Sequence, residues 1–339
     1  MSWIWRPELE FMPRDQLNSV QNEALVVQLH YVYNRSKLYR KKFDDAKVKP
    51  SDIKSSKDLV KLPLTTMEEM QTYVKDEKDP YAGRLCVPEN QLHLIYEAQE
   101  IFAPEYPVFT GITTLDRENV LENFMRQFAM IGIRPYDFLQ VISFSWEAFF
   151  CAYFRSSDKI SPSISDLWKV RVFGLEMLPP EAPRTLATAR LFKPSTIFAN
   201  LAHMAQYAAT CKTEKVTPES IAYDRVIIRE NKLLNDKEKS NITEVWGSDV
   251  FNMLDFQENL FYAVDCEKHQ GIHLWEDMYL VEAVDGDTGK PVGENESGRI
   301  AITNLFAQGM PTIRYLTNVE AKIDRMPCEC GRTHARIKI

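Results

Sequence analysis

The sequence predicts an α/β protein, and three observations support this fold class. Short apolar segments alternate with amphipathic segments through the middle of the chain, as in a layered sheet covered by helices. Helical periodicity dominates the N-terminal region, whereas the C-terminal region reads as short strands joined by turns. We therefore expect N-terminal helices and the start of the core in 1–95, an α/β sheet core in 96–255, and a small β-rich lobe in 256–339.

The predicted helices are defined by apolar residues that recur every three to four positions. They cover residues 15–43, 118–131, 183–191 and 201–211. A further helix is expected after Thr65, because Glu68 and Glu69 supply the acidic residues that favour a first helical turn.

The predicted strands are short apolar or alternating segments bounded by turn residues. They cover residues 138–144, 170–175, 196–200, 225–228, 279–284 and 298–305. The run 285–291 is rich in Asp, Gly and Pro and predicts a hairpin loop between the last two strands.

Composition and charge exclude several classes of function. The formal net charge of −7 argues against a nucleic-acid-binding surface, which needs clustered Lys and Arg. No stretch approaches the length of a membrane span, and the first residues do not form a signal peptide, so we expect a cytoplasmic protein. The six cysteines do not form a disulfide framework in a chain of 339 residues.

The strongest chemical signal is a group of three cysteines and a histidine. Cys266 precedes His273 on one glycine-containing loop, and Cys328 and Cys330 form a tight knuckle with Gly331. Three thiolates and one imidazole suit tetrahedral zinc, and a site with all four positions filled by protein is structural rather than catalytic. The sequence therefore predicts a structural zinc site in the β-rich lobe.

The identity of the histidine ligand is not settled by spacing. His273 is favoured because the apolar Leu274 and Trp275 that follow would fix its direction, while His269 and His334 remain alternatives. The competing interpretation is that the cysteines are free thiols on exposed loops.

Several collinear stretches resemble the phenylacetate-CoA ligase family of the adenylate-forming superfamily. Gly271-Ile272-His273-Leu274-Trp275-Glu276-Asp277 is similar to the pattern G-L-H-x-x-E-D of that family, and Cys328-Glu329-Cys330-Gly331-Arg332-Thr333 is similar to C-x-C-G-R-T. Further similar stretches are 33–43, 59–66, 298–303 and 311–315. The resemblance implies the large N-terminal domain of these enzymes. It also implies a zinc-bearing lobe and a reaction in which ATP and a carboxylate form an acyl-adenylate that CoA converts to a thioester.

The residues that would handle ATP depart from the family pattern. The phosphate loop should fall in 100–107, but that segment contains no glycine and no lysine, and it carries two glutamates. Bulky side chains keep backbone amides away from phosphate, and the acids repel it. Glycine-rich sequence near the adenine is replaced by Arg229-Glu230-Asn231.

Two further ATP-site motifs are also altered. The motif aromatic-Gly-x-[ST]-Glu, whose glutamate binds Mg²⁺, is matched to Trp246-Gly247-Ser248-Asp249-Val250, so that Val250 takes the place of the glutamate. Val319 stands where the family has its ribose-binding aspartate.

The resemblance also places an acyl pocket along 145–154 and 201–211. His203 lies near the position of an aromatic pocket residue, although a core or surface histidine is the more ordinary interpretation. The sequence ends near the hinge of the family, so the mobile C-terminal ligase domain is expected to be absent.

We therefore expect a noncatalytic relative that serves as a binding or scaffolding subunit in CoA-ester or aromatic-acid metabolism. It would have no catalytic or cofactor-binding residues, and ATP, Mg²⁺ and CoA are disfavoured as cofactors. A protein partner or a second copy of the chain is expected, with an acyl or CoA-type small molecule as a further ligand. The alternative is an active AMP-forming ligase in which Asp249, Asn318 and Glu320 take shifted roles.

Overall fold

The structure of the protein is a computed structural model that describes residues 4–97, 106–142, 153–154, 162–175 and 180–339. The chain divides into two compact units that interleave along the sequence. The first unit comprises 1–5, 121–255 and 263–272. The second unit comprises 6–120, 256–262 and 273–339.

Helices dominate the N-terminal third of the chain and recur between the strands of the middle third. In the described residues the α-helices are α1 Pro7–Glu10, α2 Arg14–Arg35, α3 Lys37–Asp45, α4 Met67–Glu77, α5 Thr114–Met130, α6 Ile164–Trp168, α7 Ala182–Phe192, α8 Leu201–Thr213 and α9 Asp236–Trp246. None of these described helices combines the length and the apolar character that crossing a bilayer requires.

The described strands form one short pair and two larger sheets. They are β1 Leu94–Glu97, β2 Phe109–Ile112, β3 Phe138–Ile142, β4 Arg171–Leu175, β5 Thr196–Ala199, β6 Arg225–Glu230, β7 Asp249–Phe256, β8 Phe261–Val264, β9 Ile272–His273, β10 Tyr279–Val284, β11 Gly298–Asn304, β12 Tyr315–Asp324 and β13 Arg336–Lys338. The predicted α/β fold class is confirmed, with a β-rich C-terminal lobe.

The first unit is built on a six-stranded sheet in the order β4-β3-β5-β6-β7-β8. Strands β4, β3, β5, β6 and β7 pair in parallel. Because both faces of such a sheet are covered, its strands are continuously apolar, and the side chains of Val226, Ile227 and Ile228 on β6 are fully buried. Helix α9 and strand β7 were not predicted from the sequence, and Trp246 at the end of α9 packs against Tyr207 of α8.

The second unit joins the N-terminal helices to the C-terminal lobe. Its five-stranded sheet runs in the order β10-β11-β12-β13-β9, and strands β10 to β13 pair in antiparallel fashion. Leu29 of α2 and Tyr39 of α3 share one core with Leu280 and Tyr315 of the sheet. The backbone N–H of Ile313 donates to the Tyr39 hydroxyl at 2.8 Å, which ties α3 to the segment before β12 inside this unit.

The helix predicted over 15–43 is in fact two helices, and Ser36 separates them. Ser36 has an extended backbone, with φ −88° and ψ 127°, which ends α2. Its side chain then accepts a hydrogen bond from the Tyr39 N–H at 3.2 Å and so caps α3. Apolar periodicity continues across both helices, which is why the break is invisible to a periodicity argument.

Asp116 connects the start of α5 to a distant loop of the same unit. Its Oδ2 accepts hydrogen bonds at 2.9 Å from both the N–H and the hydroxyl of Thr113, which completes a capping box. The same carboxylate accepts from the N–H groups of Gln308 and Gly309. A Cβ at position 309 would lie 2.9 Å from Asp116 Oδ2 and from the Gly111 carbonyl, so only glycine fits there.

Candidate metal centre and nucleotide-binding region

The predicted metal ligands are brought together by the fold. One ligand atom from each of Cys266, His273, Cys328 and Cys330 lies within 4.8 Å of all the others. The His273 Nε2 and Cys330 Sγ atoms are 3.6 Å apart. Ligand atoms about 2.0–2.3 Å from a tetrahedral zinc ion are themselves separated by roughly 3.5–3.8 Å, so the distance between His273 and Cys330 fits such an ion.

Two turns orient the four ligands. Cys266 follows β8 and begins a turn closed by a hydrogen bond from the His269 N–H to the Cys266 carbonyl. In the knuckle, the Gly331 N–H donates to the Cys328 carbonyl at 2.8 Å, and Gly331 has φ 89°, a conformation that favours glycine. The Lys268 N–H also points at Cys266 Sγ from 3.4 Å, which suits a negatively charged thiolate.

The electrostatics of the cluster favour an ionised Cys328 beside His273. Burial opposes the charged form of His273, yet hydrogen bonds with Cys328 and Cys330 raise the pKa of that imidazole above its ordinary value. Burial likewise opposes ionisation of Cys328, but the hydrogen bond with His273 holds the pKa of that thiol below its ordinary value. The thiolate is the form that binds metal, so the four side chains could hold a metal ion.

The two alternative histidines are bonded to other groups. His334 Nδ1 accepts from the Glu276 N–H, and its Nε2 lies 3.0 Å from the Leu9 carbonyl. His269 lies between two carboxylates, with Nδ1 2.9 Å from Asp265 and Nε2 2.9 Å from Asp249. His273 is therefore the histidine that faces the cysteines.

The flanking carboxylates give the His269 site a testable pH dependence. Hydrogen bonds first with Asp249 and then with Asp265 raise the pKa of His269 from 6.5 to about 9. Because the folded pKa is the higher one, protonated His269 stabilises the fold fully below about pH 6.5, and this stabilisation is lost as the pH rises through about 9.

We expect His269→Asn to remove this pH dependence, because the asparagine side chain does not titrate. Asparagine also tolerates the left-handed φ of 48° at this position, so the backbone is preserved. Urea unfolding of the wild type and the variant, at several pH values between about 6 and 9.5, measures the effect. The stability difference between the two proteins should shrink toward high pH. A difference that stays constant over this range would contradict the assignment.

The residues expected to handle ATP are only partly described by the structure. The degenerate phosphate loop predicted over 100–107 lies outside the described residues as far as Glu105, and the description resumes at Tyr106. Strands β1 and β2 flank this loop and pair in antiparallel fashion, with Leu94 opposite Ile112.

The segment predicted to bind Mg²⁺ lies at the amino end of a parallel strand, where a cation site is not expected. This segment is Trp246-Gly247-Ser248-Asp249-Val250. Gly247 is the C-cap of α9, and Asp249 is the first residue of the parallel strand β7. Ligands of open parallel sheets bind beyond the carboxyl ends of the strands, whereas Asp249 sits at an amino end and contacts His269. Val250 is buried in the core of the first unit. The structure therefore does not support the prediction that Asp249 takes the role of the Mg²⁺ ligand.

The carboxyl ends of β6 and β7 are filled by an ion pair. Arg229 near the end of β6 contacts Asp255 near the end of β7 at 2.6 Å, and their side chains are only 7% and 5% exposed. The next residue, Glu230, accepts a hydrogen bond at 2.8 Å from the Leu201 N–H and so satisfies the first turn of α8. Arg229 and Glu230 stand where the family has its glycine-rich motif, and the side chains of both therefore make contacts within the first unit.

A buried glutamate that the sequence reasoning missed follows β7 directly. Glu258 is 5% exposed and lies in the short turn after the carboxyl end of the strand. Its carbonyl accepts a hydrogen bond at 3.1 Å from Arg84, which is itself fully buried. Recognising 249–256 as a parallel strand would have drawn attention to the residues just beyond it.

The predicted ribose-site residues alternate along β12. Val319 is 3% exposed and faces the core, whereas its neighbours Asn318 and Glu320 are exposed on the opposite face. Successive side chains of a strand point to opposite faces, so neither neighbour can take the place of residue 319.

Comparisons with known proteins agree with this architecture. The chain is 26% identical to phenylacetate-coenzyme A ligase from Thermus thermophilus over 98% of its length, and it covers 72% of that protein. It is 23% identical to the Escherichia coli enzyme of the same name over 89% of its length, and it covers 66% of that protein. No family model matches the chain. The chain is a relative of the phenylacetate-CoA ligases.

A solved acyl-CoA ligase shows the same fold as this relative of the phenylacetate-CoA ligases. The structure of 2-hydroxyisobutyryl-CoA ligase in complex with 2-HIB-AMP and CoA aligns with a TM-score of 0.87 and 20% identity. The alignment covers 98% of this chain and 69% of that ligase. The predicted resemblance to the phenylacetate-CoA ligases and the predicted adenylate-forming fold are both confirmed.

The acyl pocket implied by the phenylacetate-CoA ligase resemblance is only partly described. Residues 145–152 lie outside the described residues, whereas 201–211 lies within α8. His203 is in the first turn of that helix, and its N–H donates to the side chain of the N-cap residue Asn200 at 2.7 Å.

Proposed function

We propose that this protein is a noncatalytic relative of the phenylacetate-CoA ligases that acts as a binding or scaffolding subunit in CoA-ester or aromatic-acid metabolism, in the cytoplasm. The observation that carries the proposal is the Arg229–Asp255 ion pair. The family resemblance implies small residues at position 229, beside the adenine. An arginine held there by a buried carboxylate fills that space with a large side chain that cannot move without leaving Asp255 uncompensated.

The sequence of the phosphate loop supports the same conclusion. Residues 100–107 contain no glycine, serine, threonine or lysine, and they carry Glu100 and Glu105. Each carboxylate at about 4 Å from a phosphate charge would cost about 1 kcal/mol in water and more where water is excluded. ATP, Mg²⁺ and CoA are for these reasons not expected as cofactors.

We assign zinc to the cluster of Cys266, His273, Cys328 and Cys330. Three thiolates and an imidazole are the ligands that tetrahedral zinc prefers, and four protein ligands leave no position for a water or a substrate. Zinc bound there would stabilise the fold and take no part in a reaction.

Glu258 favours the second candidate function, an active AMP-forming acyl-CoA ligase. It is a buried carboxylate just beyond the carboxyl end of a parallel strand, where a Mg²⁺ ion bound to ATP could reach it. In that case the reaction would use Glu258 rather than Asp249, Asn318 or Glu320.

An exchange assay separates the two candidates. We expect no ATP–pyrophosphate exchange above background with a panel of aryl and alkyl carboxylic acids, and no shift of the thermal unfolding midpoint with ATP and Mg²⁺. The Escherichia coli phenylacetate-CoA ligase, assayed in parallel, is the positive control. Exchange that disappears in Glu258→Gln would overturn the noncatalytic proposal and establish the second candidate.

A further inference from the structure

A cluster of apolar side chains lies on the surface of the first unit. We call Tyr136, Phe138, Phe173, Leu191 and Phe192 the aromatic patch. The ring centroids of Phe138 and Phe173 are 5.2 Å apart, and the Phe192 ring lies 5.7 Å from Phe138 and 6.2 Å from Phe173. Strands β3 and β4 and the last turn of α7 therefore bring three phenylalanine rings to one place.

The aromatic patch is unusually exposed. Leu191 is 81% exposed, Tyr136 74% and Phe192 58%. Single exposed apolar residues are ordinary in globular proteins, but a contiguous group of them marks an interaction surface.

The aromatic patch does not lie at the end of the sheet where small molecules bind. Phe138 is the first residue of β3, Arg171 is the first residue of β4, and Phe192 ends the helix that leads into β5. The aromatic patch is thus at the amino ends of parallel strands, whereas small ligands of such sheets bind at the carboxyl ends. A surface at this end is suited to a macromolecule.

Tyr136 adopts a backbone conformation that costs free energy. It has φ 73° in the turn Arg134-Pro135-Tyr136-Asp137, which is closed by a hydrogen bond from the Asp137 N–H to the Arg134 carbonyl at 3.1 Å. Pro135 occupies the second position of this turn, and the third position then favours glycine. A tyrosine there costs about 1 kcal/mol, and at 74% exposure its side chain gains little packing within the fold in return.

Four basic residues are next to members of the aromatic patch, either in the sequence or in a recorded contact. They are Lys169, Arg171, Arg190 and Lys193. Arg171 lies over the Phe138 ring at 4.7 Å, and none of the four forms an ion pair with another described residue. The carboxylate of Asp137, which precedes Phe138, accepts a hydrogen bond from the Arg134 N–H and lies 3.7 Å from Arg225. These four cations stand out on a chain whose formal net charge is −7.

From this juxtaposition we propose that the aromatic patch is a docking surface for an acidic segment of a partner protein that carries aromatic or aliphatic side chains. The proposal rests on the function proposed above and names the chemistry of the partner. A second copy of this chain is disfavoured, because a two-fold interface would place the four cations against themselves. An acidic segment would neutralise them while its apolar residues cover the exposed rings.

The test uses two labelled amphipathic peptides of about 16 residues, one with glutamate and one with lysine at the polar positions. In fluorescence anisotropy the acidic peptide should bind the full chain, and its Kd should rise by about tenfold or more in Tyr136→Gly and in Arg190→Glu. The Tyr136→Gly protein should unfold at the same temperature as the wild type or higher, since glycine relieves the backbone strain. The matched control is Lys212→Glu, because Lys212 occupies the last turn of α8 as Arg190 occupies that of α7.

Three results would overturn the docking proposal. They are equal binding of both peptides, no binding of the acidic peptide at about 100 µM, and a dimer in sedimentation velocity that Phe192→Ser dissociates, which would assign the surface to a second copy. The exchange assay on the same preparations separates the two proposals. A protein that binds the acidic peptide and also catalyses ATP–pyrophosphate exchange would contradict only the noncatalytic proposal. A protein that shows neither peptide binding nor exchange would contradict only the docking proposal.

Discussion

Cys328→Ser should unfold the C-terminal lobe and abolish metal binding. A serine hydroxyl does not replace a thiolate on zinc, and structural zinc contributes about 10–16 kcal/mol of apparent binding free energy to folding. We expect close to one equivalent of zinc in the purified wild type and almost none in the variant, by elemental analysis. Hydrogen exchange should show loss of protection in β12 and β13, which flank Cys328.

Two variants make this experiment specific. Cys211→Ser is the same chemical change at a buried cysteine of the first unit, and it should lower stability only modestly and leave the zinc content unchanged. His273→Cys keeps four ligands and should retain zinc, whereas His273→Ala should not. Wild-type stability in Cys328→Ser would show that the cluster is not structural.

Asp255→Ala should destabilise the first unit by about 3–5 kcal/mol. The substitution leaves Arg229 as an uncompensated cation with a side chain only 7% exposed, which is the costly way to break a buried pair. Urea unfolding followed by circular dichroism measures the change in the free energy of unfolding.

The double variant Arg229→Met/Asp255→Leu is the control for this prediction. It removes both charges and keeps side chains of similar volume, so most of the lost stability should return. The double-mutant cycle with both single variants then gives the coupling energy of the pair. A single variant that loses less than about 1 kcal/mol would show that the ion pair does not hold the carboxyl ends of β6 and β7 together.

The sequence was sufficient for the features that depend on local pattern. Helical spacing identified α7 and α8, and the apolar run before Lys232 identified β6. His273 was favoured over His269 and His334 because Leu274 and Trp275 follow it, and His273 is the histidine grouped with the three cysteines. Local patterns carry such information because neighbouring residues share one element.

The features that depend on direction and on long-range contacts were missed. Asp249 was matched to a motif by its neighbours in sequence. In the structure Asp249 begins strand β7 and therefore lies at its amino end, whereas Glu258 lies just beyond its carboxyl end. The interleaving of the two units was also invisible, because the contact between Tyr39 and Ile313 joins residues 274 positions apart. Periodicity within a window cannot report either property.

The Asp116 carboxylate has a consequence for how this chain opens. It accepts hydrogen bonds both from the first turn of α5 and from the loop at Gln308 and Gly309. If the first turn of α5 frays, the buried Asp116 carboxylate loses hydrogen-bond donors. It also loses donors if the loop at Gln308 and Gly309 moves away. Helix start and loop therefore belong to one cooperative opening unit, even though about 190 residues of sequence separate them.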